Sequence, residues 1–313
     1  MVVTGIGMVT PLGATAASTA GAWRDGRNAV RARLPELAGT SLECVEAAVL
    51  PEIDAAERLG GRRMLKYMSP AAMLGCVAAH EAAADAHLRE RFPPERIGLF
   101  AGTGLASAGI SDVMPVVRES IDEAGRFSCQ LLGRRGLAAA NPLISFKILA
   151  NMPPCLVSII ESIKGPNLIF TPWEGQAGAA LAEAWRAVAE GEVDCALAGS
   201  ADCPSQPATV VYLKQARLLR DGEPAAAGAA YVVLERAETA AAHGRRAYAR
   251  IASMEVVNDG GPVCDPLAGR MGRTFAAAPA ILLGLACLQS ASREVSIRGV
   301  DGHVFRAALE GWP

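Results

Sequence analysis

No two cysteines in this chain stand at the CxxC spacing of a metal knuckle or redox motif. The eight, at 44, 76, 129, 155, 195, 203, 264 and 287, are scattered, and His80, His87, His243 and His303 do not pair with them. That pattern excludes a thiolate zinc centre and thioredoxin-like chemistry, so neither a metal nor a cofactor is expected. Charge of one sign is also missing. Thirty Lys and Arg face 32 Asp and Glu, a formal net charge of −2, which leaves no electrostatic footprint for nucleic acid. Partners are therefore expected to be met through shape and apolar area. No apolar run reaches the length of a membrane span, and the first eleven residues lack a basic region and cleavage site. No membrane association is expected; the reading is a reducing, cytoplasmic setting with most thiols buried as small hydrophobes.

Aromatic residues are scarce as well, at 5%, while 51% of the 313 residues are hydrophobic. The interior must be built from small side chains, and disorder is excluded. The length predicts either one large α/β unit or two fused halves. Short apolar runs at 2–4, 97–101, 193–199 and 230–234 read as buried strands. Segments 14–27, 181–190 and 276–288 read as helices, as does a run from Pro70 to about Leu88 with Ser69 as N-cap. Alternation of the two predicts a layered α/β architecture. Residues 31–60 and 256–273 read as irregular, and 295–309 as a turn followed by a strand.

The opening Gly5-Ile6-Gly7 invites comparison with a dinucleotide-binding turn. The third glycine is replaced by Thr10, and Asp25 lies in a polar turn instead of at the end of a second strand, so a buried strand and tight turn is the better reading.

Three blocks carry a family likeness: residues 2–13 (VVTGIGMVTPLG), residues 96–104 (RIGLFAGTG) and residues 165–178 (GPNLIFTPWEGQAG). Together they resemble the β-ketoacyl synthases. The resemblance implies the thiolase-like fold, an α/β arrangement in αβαβα layers. It divides the chain into residues 1–250, an N-terminal half with a degenerate nucleophile elbow, and residues 251–313, a truncated C-terminal half. It also places Glu174 where an active member has its cysteine; a one-gap alternative puts Gln176 there. A carboxylate cannot replace a thiolate in acyl transfer, because it is the poorer nucleophile and its mixed anhydride hydrolyses readily.

Other parts of the resemblance are altered too. The first family histidine has no counterpart, since the block between Glu235 and Gly272 is too short. Arg273 stands at the second, and an arginine cannot shuttle a proton. The Arg298-Gly299-Val300-Asp301-Gly302-His303 turn has lost the family's two aromatics, so Val300 marks a degenerate oxyanion-hole and gate position. No catalytic residue is intact. The pattern is similar to the chain-length factors of type II polyketide synthases, and the compact length suits the small partner subunits of polyene-type systems.

That likeness implies a non-catalytic subunit in a heterodimer with an active ketosynthase, acting on a chain held by an acyl carrier protein. Ile110, Met114, Phe146 and Met152 are the substrate-tunnel candidates it supplies. Leu168, Ile169, Phe170, Thr171 and Gln176 are the interface candidates. Two other readings stay open: a partner-independent thioester decarboxylase or hydrolase using Glu174, and a homodimeric scaffold that binds acyl carrier protein. Arg273 is expected to bind a carrier phosphate, to hold a carboxylate such as Glu174, or to be an ordinary surface arginine. Cys155 reads as a buried inert thiol and His303 as a surface or turn histidine.

Overall fold

A computed structural model of the chain describes residues 1–105, 108–289 and 293–311. Its strands are β1 (Val2–Val9), β2 (Arg31–Arg33), β3 (Glu46–Ala48), β4 (Ile97–Thr103), β5 (Asn167–Phe170) and β6 (Cys195–Asp202). They continue with β7 (Ala225–Ala226), β8 (Gly228–Glu235), β9 (Ala249–Asn258), β10 (Arg293–Arg298) and β11 (His303–Glu310). Eight of them hydrogen-bond in the order β10-β11-β9-β1-β8-β6-β4-β5, and β2, β3 and β7 form a small separate sheet.

The large sheet folds round a central helix layer. Strand β9 pairs with β1 only through Val2–Arg250 and Val3–Ala249, then leaves to run antiparallel beside β11. Beyond that point the outer edge of β1 has no strand. Its Ile6 and Met8 N–H groups donate instead to the carboxylates of Asp85 and Glu81, each at 3.0 Å, because a buried backbone donor must find a partner. Both acids sit on the Pro70–Asp85 helix, which packs on β1, β6 and β8 with the Met152–Glu161 helix against it. Gly7 lets that helix approach: a Cβ there would lie 1.9 Å from the carbonyl oxygen of Ala78.

The Glu174–Glu190 helix lies between the two parts of the sheet, touching β4 and β6 on one side and β9 and β11 on the other. Neighbouring residues show this directly. Ala177 meets Gly102 of β4, whereas a Cβ on Gly178 would be 2.7 Å from the Cβ of Phe305 on β11. The Ala278–Leu288 helix shares this layer and packs on β8 and β10. One apolar core therefore draws on both predicted halves, joining Val3, Met8 and Leu234 to Ile281, Leu283 and Phe305. Every residue of β1, β4, β6 and β8 is buried, the pattern of strands covered on both faces.

The far side of the sheet is open to solvent. Strands β9, β10 and β11 bury one face on the central helices, while Arg250, Glu255, Glu294, Ser296 and Glu310 on the other are exposed. Surface pairs Arg250–Glu310 and Arg306–Glu255 cross that face at 3.6 and 3.7 Å.

Several boundaries differ from the sequence expectation. Strand β1 runs for eight residues, not three. Ser69 caps its helix as expected, accepting from Ala72 N–H at 3.2 Å. Residues 31–60 hold two short strands and a helical turn at Ala55–Arg58. The stretch read as loop from 256 contains the end of β9 and a turn of helix at Ala268–Met271. Only four thiols are buried, Cys76, Cys195, Cys203 and Cys287; Cys155 is intermediate, and Cys44, Cys129 and Cys264 are exposed. Burial pushes Cys76 and Cys287 up to about 12 and Cys203 to about 11, so these behave as apolar side chains. No helix is long and apolar enough to cross a membrane, and no cluster of His, Cys, Asp and Glu could hold a metal ion, among the described residues.

Candidate active site at the strand–helix elbow

Strand β5 ends at Phe170, and after Trp173 the chain turns straight into helix with Glu174 as its first residue. Glu174, the position of the ungapped reading, is the first helical residue, and Gln176 lies one half-turn further in and is half-buried. Trp173 is extended and offers no side-chain cap, so Glu174 itself brings negative charge to the helix N-terminus, where the macrodipole favours it.

The Glu174 side chain is fully buried. Its Oε1 accepts from Arg273 Nη2 at 2.6 Å, and its Oε2 accepts from the Val300 backbone N–H at 3.3 Å. The residue's own backbone N–H also bonds to the carboxylate. All three positions that the family likeness singled out as degenerate, Glu174, Arg273 and Val300, therefore meet at one point. Of the three readings of Arg273, its geometry performs carboxylate holding, and its burial overturns that of a surface arginine.

Arg273 is 2% exposed and follows the Ala268–Met271 helical turn, lying beside β7. Its backbone is fixed there: its N–H donates to Pro224 O and its carbonyl accepts from Ala226 N–H, both at 2.9 Å. The guanidinium lies 4.8 Å from the Phe275 ring. A second buried carboxylate, Asp265, approaches Arg273 Nε at 3.4 Å without hydrogen-bond geometry. A third, Asp202 at the end of β6, accepts from Ala276 N–H at 3.2 Å and so holds the turn that follows Arg273. Within that turn Phe275 adopts φ of 42°, a strained conformation for a bulky residue that only surrounding contacts maintain.

Two buried acids, Glu174 and Asp265, therefore share one guanidinium, and Asp202 lies close enough to feel the charge of Glu174. Burial lifts the carboxyl groups of Glu174 and Asp265 above the usual range even though Arg273 opposes the shift. For Asp202 burial lifts it further, helped by the charge of Glu174 and opposed by its backbone hydrogen bonds. The cluster holds its protons more firmly than a free carboxylate would.

An apolar wall covers the elbow: Trp173 and Phe275 lie 6.1 Å apart, and Val300 packs into the same cluster with Leu213 and Leu219. His303, the first residue of β11, is half-buried and lies 3.3 Å from the Asp301 carboxylate through Nδ1. It does not touch Glu174 in any hydrogen bond of the described residues.

The tunnel candidates lie elsewhere. Ile110 and Met114 sit on the Ile110–Glu119 helix, joined by the Asp112–Lys147 ion pair at 2.9 Å to the short helix that carries Phe146. Ile110 and Phe146 are exposed, and Phe146 meets Tyr67 edge-on at 5.3 Å. Met152 is half-buried against the core. Of the interface candidates, Leu168, Ile169 and Phe170 form β5, the terminal strand of the large sheet, and Thr171 donates through Oγ1 to Gly104 O at 3.3 Å.

Asp265, Asp202 and Phe275 escaped the sequence reading. For Asp202 a signal existed, since an acid inside the apolar run 195–203 is out of place unless it has a buried partner. Asp265 lay in a stretch without periodicity and gave none.

Comparison with known proteins agrees with this architecture. Residues 1–240 match the model of the "Beta-ketoacyl synthase, N-terminal domain". The chain is 23% identical over 299 residues to 3-oxoacyl-[acyl-carrier-protein] synthase 2 of Synechocystis, covering 90% of this chain and 68% of that protein. With the mitochondrial synthase of Arabidopsis thaliana it shares 27% over 308 residues, covering 85% and 62%. Two solved structures are instead spanned almost end to end. One is a type II polyketide synthase acyl carrier protein in complex with its ketosynthase bound to the hexaketide (TM-score 0.79, 15% identity, 99% of each chain). The other is the ishigamide ketosynthase/chain length factor (TM-score 0.78, 17% identity, 100% of this chain and 99% of that one). At these identities the structures show a shared fold, and with the domain match over residues 1–240 they establish that the chain belongs to the β-ketoacyl synthase family.

Proposed function

We propose that this chain is a non-catalytic, chain-length-factor-like subunit. It pairs in the cytoplasm with an active β-ketoacyl-ACP synthase and helps set the length of an acyl chain carried on an acyl carrier protein in type II polyketide biosynthesis, polyene-type systems included, or in fatty-acid-like biosynthesis. The observation that carries this reading is the Glu174 carboxylate: it stands in the nucleophile's place and is fully buried and bonded to Arg273 and Val300. A thioester carbonyl has neither a nucleophile to meet nor a free N–H at Val300. The same burial weighs against a decarboxylase or hydrolase using Glu174, because a general base must come within hydrogen-bond reach of its substrate.

A partner surface is supported by the distribution of exposed apolar side chains. Of the twelve large hydrophobics exposed among the described residues, nine fall between 110 and 168, ending with Leu168 on β5. A terminal strand with an unpaired edge invites a strand from a second chain. The tunnel candidates fall in that region, so a partner seated there would cover Ile110 and Phe146. Joined to the fold shared with the ketosynthase/chain length factor structure, this favours a heterodimer over a homodimeric scaffold.

Co-expression with an intact ketosynthase tests the reading. The expected result is a one-to-one complex whose products shorten when Ile110 or Met114 is replaced by Trp. Recovery of this chain only as a homodimer, or partner-free turnover of a malonyl thioester that Glu174→Gln abolishes, would overturn it.

A further inference from the structure

We propose that the elbow is a carboxylate-binding site whose resident ligand is the Glu174 side chain: a guanidinium and two backbone N–H groups form a receptor that a free small carboxylate can occupy once Glu174 is removed. This goes beyond the assignment of a subunit role, since it names the chemistry the pocket recognises whatever the chain assembles with.

Two of the receptor's three donors come from elements other than the helix that carries Glu174. Arg273 arrives from the segment after the Ala268–Met271 helical turn, and its backbone is clamped by Pro224 and Ala226. Its guanidinium is held against Phe275, so it stays aimed at the elbow without help from Glu174. The Val300 N–H arrives from the turn between β10 and β11, which closes on itself through Gly299 N–H to His303 O at 2.9 Å and Gly302 N–H to Gly299 O at 3.2 Å. The helix N-terminus supplies the third donor, the N–H of residue 174. A carboxylate is the group that fits a guanidinium on one oxygen and backbone N–H groups on the other, and charge-assisted contacts of this kind are the strong ones.

Loss of the ligand would leave Arg273 buried with Nε already lacking a hydrogen-bond partner. Removal of one partner leaves the other's desolvation uncompensated. The space released by shortening residue 174 is that of a formate or acetate ion. Asp265 and Asp202 oppose an incoming anion, which limits occupancy to high ligand concentration.

Glu174→Ala in the full chain, melted in sodium formate, acetate or chloride at equal ionic strength, tests the site. The expected result is a melting temperature several degrees below the parent, raised by formate in proportion to the logarithm of its concentration and unmoved by chloride. Neutral formamide should do less than formate. The parent, Glu174→Gln and the double variant Glu174→Ala/Arg273→Met should show no formate-specific rise. Should the alanine variant fail to fold alone, refolding from denaturant with formate reads the same site, and recovery with formate but not chloride supports it. Equal effects of formate and chloride, a rise as large in the double variant, or no recovery under any of these conditions would overturn the proposal. None of these outcomes bears on whether a ketosynthase partner binds.

Discussion

Two buried arginine–carboxylate pairs hold this molecule together, and they are built differently. At the foot of β8, Glu235 accepts both guanidinium arms of Arg91, at 2.8 and 2.6 Å, and the Thr4 hydroxyl at 2.5 Å. At the elbow, Glu174 takes a single arm of Arg273, whose Nε faces Asp265 without a hydrogen bond. The first joins β1, β8 and the Leu88–Arg91 turn through a forked pair of one acid and one base, although Arg91 Nε, like Arg273 Nε, is buried without a hydrogen-bond partner. The second has more acid than base and engages Glu174 through one arm only. A pair that serves only stability has no reason to leave that imbalance, whereas a position that once faced a reacting group does.

The largest effects should come from removing the arginines. Arg91→Met and Arg273→Met are each expected to cost about 3–5 kcal/mol in urea unfolding, because each strands buried carboxylates. The glutamates should then separate the two sites. Glu235→Gln forfeits the forked ionic pair and should cost about 2–4 kcal/mol, while Glu174→Gln should cost about 1 kcal/mol, since its amide oxygen still accepts from Arg273 and Asp265 remains to balance the charge. Equal costs for the two glutamines would remove the distinction.

The pH dependence sharpens it further. A carboxyl whose folded pKa is raised holds its proton more tightly when folded. It therefore contributes stability that is fully present below the unfolded value of about 4 and is lost as pH rises through the higher folded value. Asp202 carries the strongest upward shift at the elbow. Asp202→Asn should thus leave the melting temperature near the parent's at pH 5 and raise it above the parent's at pH 8. A parent whose stability is flat across that interval would contradict the surplus of buried acid. Smallest of all, Arg250→Ala on the exposed face of β9 should change stability by under about 0.5 kcal/mol, as solvent screens its pair with Glu310.

Much of this was legible from residue order, in places for reasons that can be named. Strands β4, β6 and β8 are buried on both faces, so each announces itself as an unbroken run of small apolar residues. Strand β9 does not. Its register against β11 skips a residue, with Ala308 opposite Ser253 and Leu309 opposite Ile251, and this bulge at Ala252 breaks the two-residue alternation between Ile251 and Met254. The elbow could be located because Glu174 sits in a contiguous motif. Its partners came into view only through the family likeness, since Arg273 is 99 positions away and Val300 contributes only a backbone N–H, which any residue supplies. Asp265 adds a contact set by folding alone.

The central claim is that the elbow holds a fixed carboxylate where acyl transfer would need a nucleophile. Intact-mass analysis of the purified chain, incubated with an acyl thioester and malonyl-loaded carrier protein, tests it most directly. The account expects the mass of the chain to stay unchanged and no elongated product to form until an active ketosynthase is added. An acyl adduct on this chain, followed by elongation in the absence of any partner, would contradict it.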